Sequence, residues 1–87
     1  LGAWGIDIEA GLTDSPLMEV ELKRVIMQNS REIIAVVDSS KFGRLGLACF
    51  AEPQEITRIV TDESAPSDTL TAFQALGVTV CTPGFEN

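Results

Sequence analysis

The sequence contains no histidine. That absence excludes the Ser-His-Asp and Cys-His triads, the HExxH zinc helix and the usual proton shuttle at neutral pH. Two cysteines, Cys49 and Cys81, are too few for a zinc cage and read as reduced packing residues rather than a disulfide. Positive charge is scarce: six bases against thirteen acids leave a net charge of −7. The bases are scattered from Lys23 to Arg58, whereas a nucleic-acid binder needs a basic face. This stretch of chain is therefore not the part of a protein that grips DNA or RNA. No apolar run approaches the ~20 residues that cross a bilayer, and nothing reads as a signal peptide. A cytoplasmic location without a membrane partner is expected.

What is present is enough for one small unit. Hydrophobic residues make up 45% of the 87, too many for a disordered tail. A chain of this length buries roughly 60–65% of the surface its unfolded form exposes, leaving little room for a cleft, a lid and a specificity domain together. It starts on Leu1 rather than methionine, which reads as a trimmed chain or an internal segment. There is no repeat, low-complexity stretch or linker.

Gly5-Ile6-Asp7 reads as a strand end entering a loop that continues through Gly11. Asp14-Ser15-Pro16 supplies helix-start chemistry. Over Leu17 to Asn29, Met18, Leu22, Val25, Ile26 and Asn29 share one face at helical spacing, widened by Leu17, Val20 and Met27. Ile33 to Val37 is a continuous β-branched run, the pattern of a strand covered on both faces. A weaker apolar stretch, Leu45 to Ala51, stops before Pro53, and Ile56 to Thr61 is a second β-branched run. A helix opening near Pro66 carries Leu70, Ala72, Phe73 and Leu76 and stops at Gly77. Val78 to Cys81 is a third strand. The expected fold is α/β: βαβ units with a mostly parallel, Rossmann-like sheet over residues 1–82, with 83–87 as a tail.

Ligands of open parallel sheets sit outside the carboxyl ends of the strands. Three polar segments lie there: Gly5–Asp7, Asp38–Gly43 and Thr61–Glu63. The middle one sets two serines, a lysine and a glycine directly after a buried strand. Such a turn can hold a phosphate or sugar hydroxyls, and it also reads as ordinary turn chemistry.

Gly5-Ile6-Asp7, Gly11-Leu12-Thr13, Glu19, Lys23-Arg24, Asp38-Ser39-Ser40-Lys41-Phe42-Gly43-Arg44 and Ile59-Val60-Thr61-Asp62 occur in order. The series resembles the C-terminal effector-sensing domain of DeoR-type bacterial transcriptional repressors, from Leu1 to about Cys81. The Asp-Ser-Ser-Lys-Phe-Gly block is its specific part. The resemblance implies the second half of a sensor domain related to ribose-5-phosphate isomerase and coenzyme A transferases. It implies a phosphorylated sugar or related metabolite as effector, and operator DNA reached only through an N-terminal helix-turn-helix outside this chain. Where isomerases of this fold resemble Leu1–Asp7, two aspartates stand in the places of Leu1 and Trp4. Neither replacement can act as a carboxylate, and the isomerase lysine-glycine loop is shortened to Glu9-Ala10-Gly11-Leu12-Thr13. Binding without turnover is expected, with no catalytic residue, cofactor or metal. A divergent sugar-phosphate isomerase and an oligomerisation module are the alternatives, and homo-oligomers are expected.

The effector site implied by the resemblance uses Gly5, Asp7, Glu19 and Lys41. Asp7 and Glu19 would accept from sugar hydroxyls, Lys41 would pair with a phosphate or sugar oxygen, and Gly5 would allow close backbone approach. Each acid and base has a second reading. Asp7 caps a turn, Glu19 and Lys23 form an i,i+4 surface pair, and Lys41 is a solvated loop residue. Trp4 reads as a sugar-stacking ring or as core, and Phe42 as the anchor of its loop.

Overall fold

The computed structural model describes residues 1–15, 17–83 and 85–86. Pro16, the expected first helical residue, and Gly84 and Asn87 of the expected tail lie outside the described residues. The elements in chain order are strands β1 (Gly5–Asp7) and β2 (Gly11–Asp14), helix α1 (Leu17–Gln28), strands β3 (Ile34–Val36), β4 (Ala48–Ala51) and β5 (Arg58–Val60), helix α2 (Ser67–Ala75), and strands β6 (Thr79–Thr82) and β7 (Phe85–Glu86).

The parallel sheet expected from the β-branched runs is present. β3 pairs in parallel with β5 through Ala35↔Ile59, and β5 with β6 through Ile59↔Val80. Helix α2 makes the β5–β6 crossover and buries Phe73 completely. The residues read as a tail contribute β7, which closes the sheet antiparallel to β6.

A second sheet was not legible. β1, β2 and β4 form an antiparallel sheet in the order β1-β2-β4, so the expected loop from Asp7 to Gly11 is a hairpin turn. Its strands are three and four residues long, too short for alternation to register. The Asp7 carboxylate closes the turn by accepting from the N–H groups of Glu9 (2.9 Å) and Ala10 (3.0 Å).

Two expectations about covering also change. Ala35 and Ile59 are fully buried, but their neighbours Val36 and Val60 are 58% and 37% exposed, so the parallel sheet is covered on one face only. In α1 the buried side is set by Val20, with Lys23 and Met27 partly buried beside it, while Met18, Leu22, Val25 and Ile26 face outward. Periodicity finds a stripe, but it does not say which side the rest of the chain covers. Val20, Ile6, Leu12, Ala35, Ile59 and Phe73, all fully buried, belong to one core that joins the two sheets.

Candidate functional site

The carboxyl ends of β1, β3 and β5 converge. The turn after β3 is a short 3-10 segment, Ser39–Lys41, capped by Asp38, whose carboxylate accepts from the Ser40 N–H (2.9 Å) and from the Ser40 hydroxyl. Asp62, beyond the end of β5, reaches across and accepts from the Ser39 N–H at 2.7 Å, while its other oxygen takes the Ser64 N–H. Strand β1 joins the same turn: Ile6 bridges Phe42 in parallel, and the Gly43 N–H donates to the Ile6 carbonyl at 2.9 Å. Phe42 packs on the core, which anchors the turn.

This arrangement joins the segments that carry three of the four expected site residues. In the parallel register Lys41 falls beside Gly5 and Asp7 beside Gly43, on either side of the Ile6↔Phe42 bridge. Asp7 commits one carboxylate oxygen, Oδ2, to its turn. Lys41 lies 3.5 Å from Asp38 with a partly exposed side chain, so it is held but accessible. Gly5 is a glycine because of the protein itself. A Cβ there would lie 2.0 Å from the Arg44 carbonyl oxygen, so the close approach is that of the following loop. Glu19 sits exposed in the first turn of α1, and no described contact joins it to Asp7 or Lys41. Trp4 is neither core nor free: the Arg44 guanidinium stacks on its ring, 4.1 Å from the centroid.

Lys23 and Asp14 were not singled out as a pair. The Lys23 ammonium lies 2.5 Å from the Asp14 carboxylate and 2.6 Å from the Gly2 carbonyl oxygen, with both side chains largely buried. It also stands over the Phe50 ring. The signal for it was present: Val20, Lys23 and Met27 are spaced along one helix face, and a lysine on a covered face needs a counter-charge. The surface pair Glu19–Lys23 does not form.

Hydrogen bonds tune the acids of the turn. The Ser40 hydroxyl and N–H hold Asp38 below the ordinary carboxylate value, helped by Lys41. The Ser39 N–H, and after it that of Ser64, hold Asp62 below it too. A carboxylate whose folded pKa is depressed stabilises the fold above its unfolded value near ~3.9 and loses that contribution as pH falls through the folded value. Asp62→Asn is expected to flatten the acid limb of stability, measured by denaturant unfolding between about pH 2 and pH 6. Parallel profiles for variant and parent would refute the assignment. Burial pushes the Cys49 thiol up, which makes it a poor nucleophile.

A shallow cleft of about 400 Å³ lies at the ends of β3 and β5, lined by Val36, Val37, Asp38, Val60, Thr61, Asp62 and Pro83. A cleft of about 460 Å³ lies at the far end of α1, with Arg24, Arg31 and Phe50 among its walls. Neither includes Asp7 or Lys41. The described residues of this sheet edge carry the hydroxyls of Ser39 and Ser40, the carboxylates of Asp38 and Asp62 and the ammonium of Lys41.

The family model of the DeoR C-terminal sensor domain matches residues 1–63. The chain is 37% identical over 84 residues to the putative aga operon transcriptional repressor of Escherichia coli O157:H7, covering 97% of this chain and 31% of that protein. It is 32% identical over 80 residues to the HTH-type transcriptional regulator GlpR of Haloferax volcanii, 92% of this chain and 31% of that one. The glycerol-3-phosphate regulon repressor of Escherichia coli K12 is 38% identical over 66 residues, 76% and 26% of the two chains. The chain thus spans less than a third of these relatives.

Proposed function

Because the chain belongs to the family of the DeoR C-terminal sensor domain, we propose that it forms part of the effector-binding face of a transcriptional repressor of sugar metabolism. The effector is a phosphorylated sugar or related metabolite. Its occupancy changes operator binding by a helix-turn-helix that lies in another part of the full-length protein. The observation that supports this reading is the parallel Ile6↔Phe42 bridge, which joins the end of β1, where Asp7 lies, to the Asp38–Gly43 turn that carries Lys41. Lys41 supplies the cation for a phosphate, and Asp7 and Glu19 supply acceptors for hydroxyls, with Gly5 allowing close backbone approach. A relative named for the glycerol-3-phosphate regulon supports the choice of a phosphorylated ligand.

Turnover is not part of this proposal. An enediolate mechanism needs a base and electrophilic stabilisation of the oxyanion. The places of the isomerase aspartates are held by Leu1, whose backbone pairs with β3, and by Trp4, stacked under Arg44.

The test uses the longer polypeptide that contains this chain. Calorimetric titration with glycerol 3-phosphate, ribose 5-phosphate and inorganic phosphate is expected to show binding of at least one phosphosugar. Lys41→Ala is expected to weaken it about tenfold to a hundredfold, the range for losing one charge-assisted contact. Asp7→Asn keeps the turn acceptor but removes the charge, and is expected to weaken binding less. Affinity unchanged in both variants would remove the site, and isomerisation of the sugar phosphate would replace the sensor reading with an enzyme.

A further inference from the structure

We propose that the cleft at the carboxyl ends of β3 and β5 receives the hydroxyl-bearing carbon chain of the effector, and that the Thr61 hydroxyl recognises it. This role rests on the proposed effector site at Lys41 and adds the residue that tells a polyol from a plain phosphate. Thr61 is 6% exposed, and its Oγ1 has no hydrogen-bond partner among the described residues. Its backbone is fixed by the N–H bond to the Cys81 carbonyl at 3.0 Å, so the side chain alone is uncommitted. A buried hydroxyl without a partner is rare in a folded protein, since it can both donate and accept. Thr61 lines the cleft of about 400 Å³, a volume within the range of small-molecule sites. Having no bond to lose, the hydroxyl gains one by turning to a ligand there.

The other walls fit the same ligand. Val36, Val60 and Pro83 are exposed and give an apolar flank for the C–H face of a sugar chain. Asp38 and Asp62 supply acceptors. Each Asp62 oxygen takes one backbone N–H, from Ser39 and from Ser64, and a carboxylate oxygen has room for a second donor. Both acids are held below the ordinary carboxylate value, so both are charged at neutral pH. Charge then fixes the direction of the ligand. Asp38 is at once a wall of the cleft and the carboxylate 3.5 Å from the Lys41 ammonium, so the cleft begins beside the cation. The two carboxylates repel a phosphate, which stays at Lys41, and the uncharged hydroxylated end enters the cleft. An apolar segment of protein laid over Val36 and Val60 would strand two charges and a hydroxyl, whereas a polyol satisfies all three. The ligand class is a monophosphate with a neutral polyol tail.

The longer polypeptide is titrated calorimetrically with glycerol 3-phosphate, ribose 5-phosphate and propyl phosphate, as parent and as Thr61→Val, which keeps the shape of the side chain and removes the hydroxyl. The variant is expected to weaken the phosphosugar that binds by about threefold to tenfold, the range for one neutral hydrogen bond, and to leave propyl phosphate unchanged. Thr61→Ser, which keeps the hydroxyl, is expected to bind as the parent does. Without ligand, Thr61→Val is expected to unfold at or above the parent's thermal midpoint, because no partner is lost. A lowered midpoint, or a variant that fails to fold, would show that the polypeptide's own residues pair with the hydroxyl and would overturn the proposal. Equal losses for the phosphosugar and propyl phosphate would overturn it too. So would phosphosugar affinity that depends on Lys41 but not on Thr61, which leaves the effector site standing, whereas no phosphosugar binding at all removes both.

Discussion

Gly11→Ala is expected to abolish the cooperative fold. Gly11 opens β2 at a φ of +81°, and a Cβ built there lies 1.9 Å from the Ala51 carbonyl oxygen and 2.9 Å from the backbone of Glu52. The left-handed conformation alone costs a non-glycine residue about 1–2 kcal/mol. The overlap costs much more, because its partner is backbone of the neighbouring strand and cannot rotate away. Relief means parting β2 from β4, whose ladder runs directly on through Leu12↔Ala51. The expected total, about 5 kcal/mol or more, is comparable to the whole stability of a small domain. Gly43→Ala separates the two causes. It has the same φ of +81° with nothing within 4 Å of the added Cβ, so it is expected to cost only about 1 kcal/mol. Thermal unfolding followed by circular dichroism distinguishes the two, and equal effects would show that the clash with Ala51 is not what matters.

The second large effect is expected at the buried ion pair. Asp14→Ala leaves the Lys23 ammonium beside the Gly2 carbonyl, with its side chain only 15% exposed, and takes one of two acceptors from the Trp4 N–H, which keeps the Thr13 carbonyl. Stranding a largely buried charge is expected to cost about 3 kcal/mol. Lys23→Met fills the same space without charge and strands Asp14 instead. The double variant strands neither, so it is expected to be less destabilised than the two losses added together, with a coupling of about 1–3 kcal/mol. Denaturant unfolding of the four proteins measures this cycle. Additive losses would mean that the pair contributes nothing as a pair.

The legible parts of the fold share a physical reason. β3, β5, α2 and β6 are runs whose composition states their environment: Ile59 among β-branched neighbours, or Phe73 at the centre of a helical stripe. The β1–β2 hairpin was hidden because it is made by one carboxylate and a glycine, not by periodicity. Which side of α1 is covered is hidden for a related reason. Apolar spacing is symmetric between a face covered by the chain's own core and one available to another molecule, and only the position of Lys23 breaks the tie. At the candidate site, the Asp38–Gly43 turn was readable as a unit. Its dependence on Asp62 was not, because a hydrogen bond to Ser39 across 23 positions leaves no local trace. At Gly5 the structure shows a close approach by the Arg44 carbonyl, a neighbour 39 positions away that leaves no local trace.

The interleaving of the two sheets couples their assembly. Between β3 and β5, which pair with each other, the chain leaves to place β4 against β2 and then returns. Because β4 lies within the β3–β5 connection, pairing in one sheet shortens the loop that the other must close. The turn that carries Lys41 gains its Asp62 contact only once β5 stands beside β3. Such non-local closure slows folding and ties the fate of that turn to the whole chain: the turn cannot melt alone without releasing Asp62, and the sheets cannot part without dissolving it.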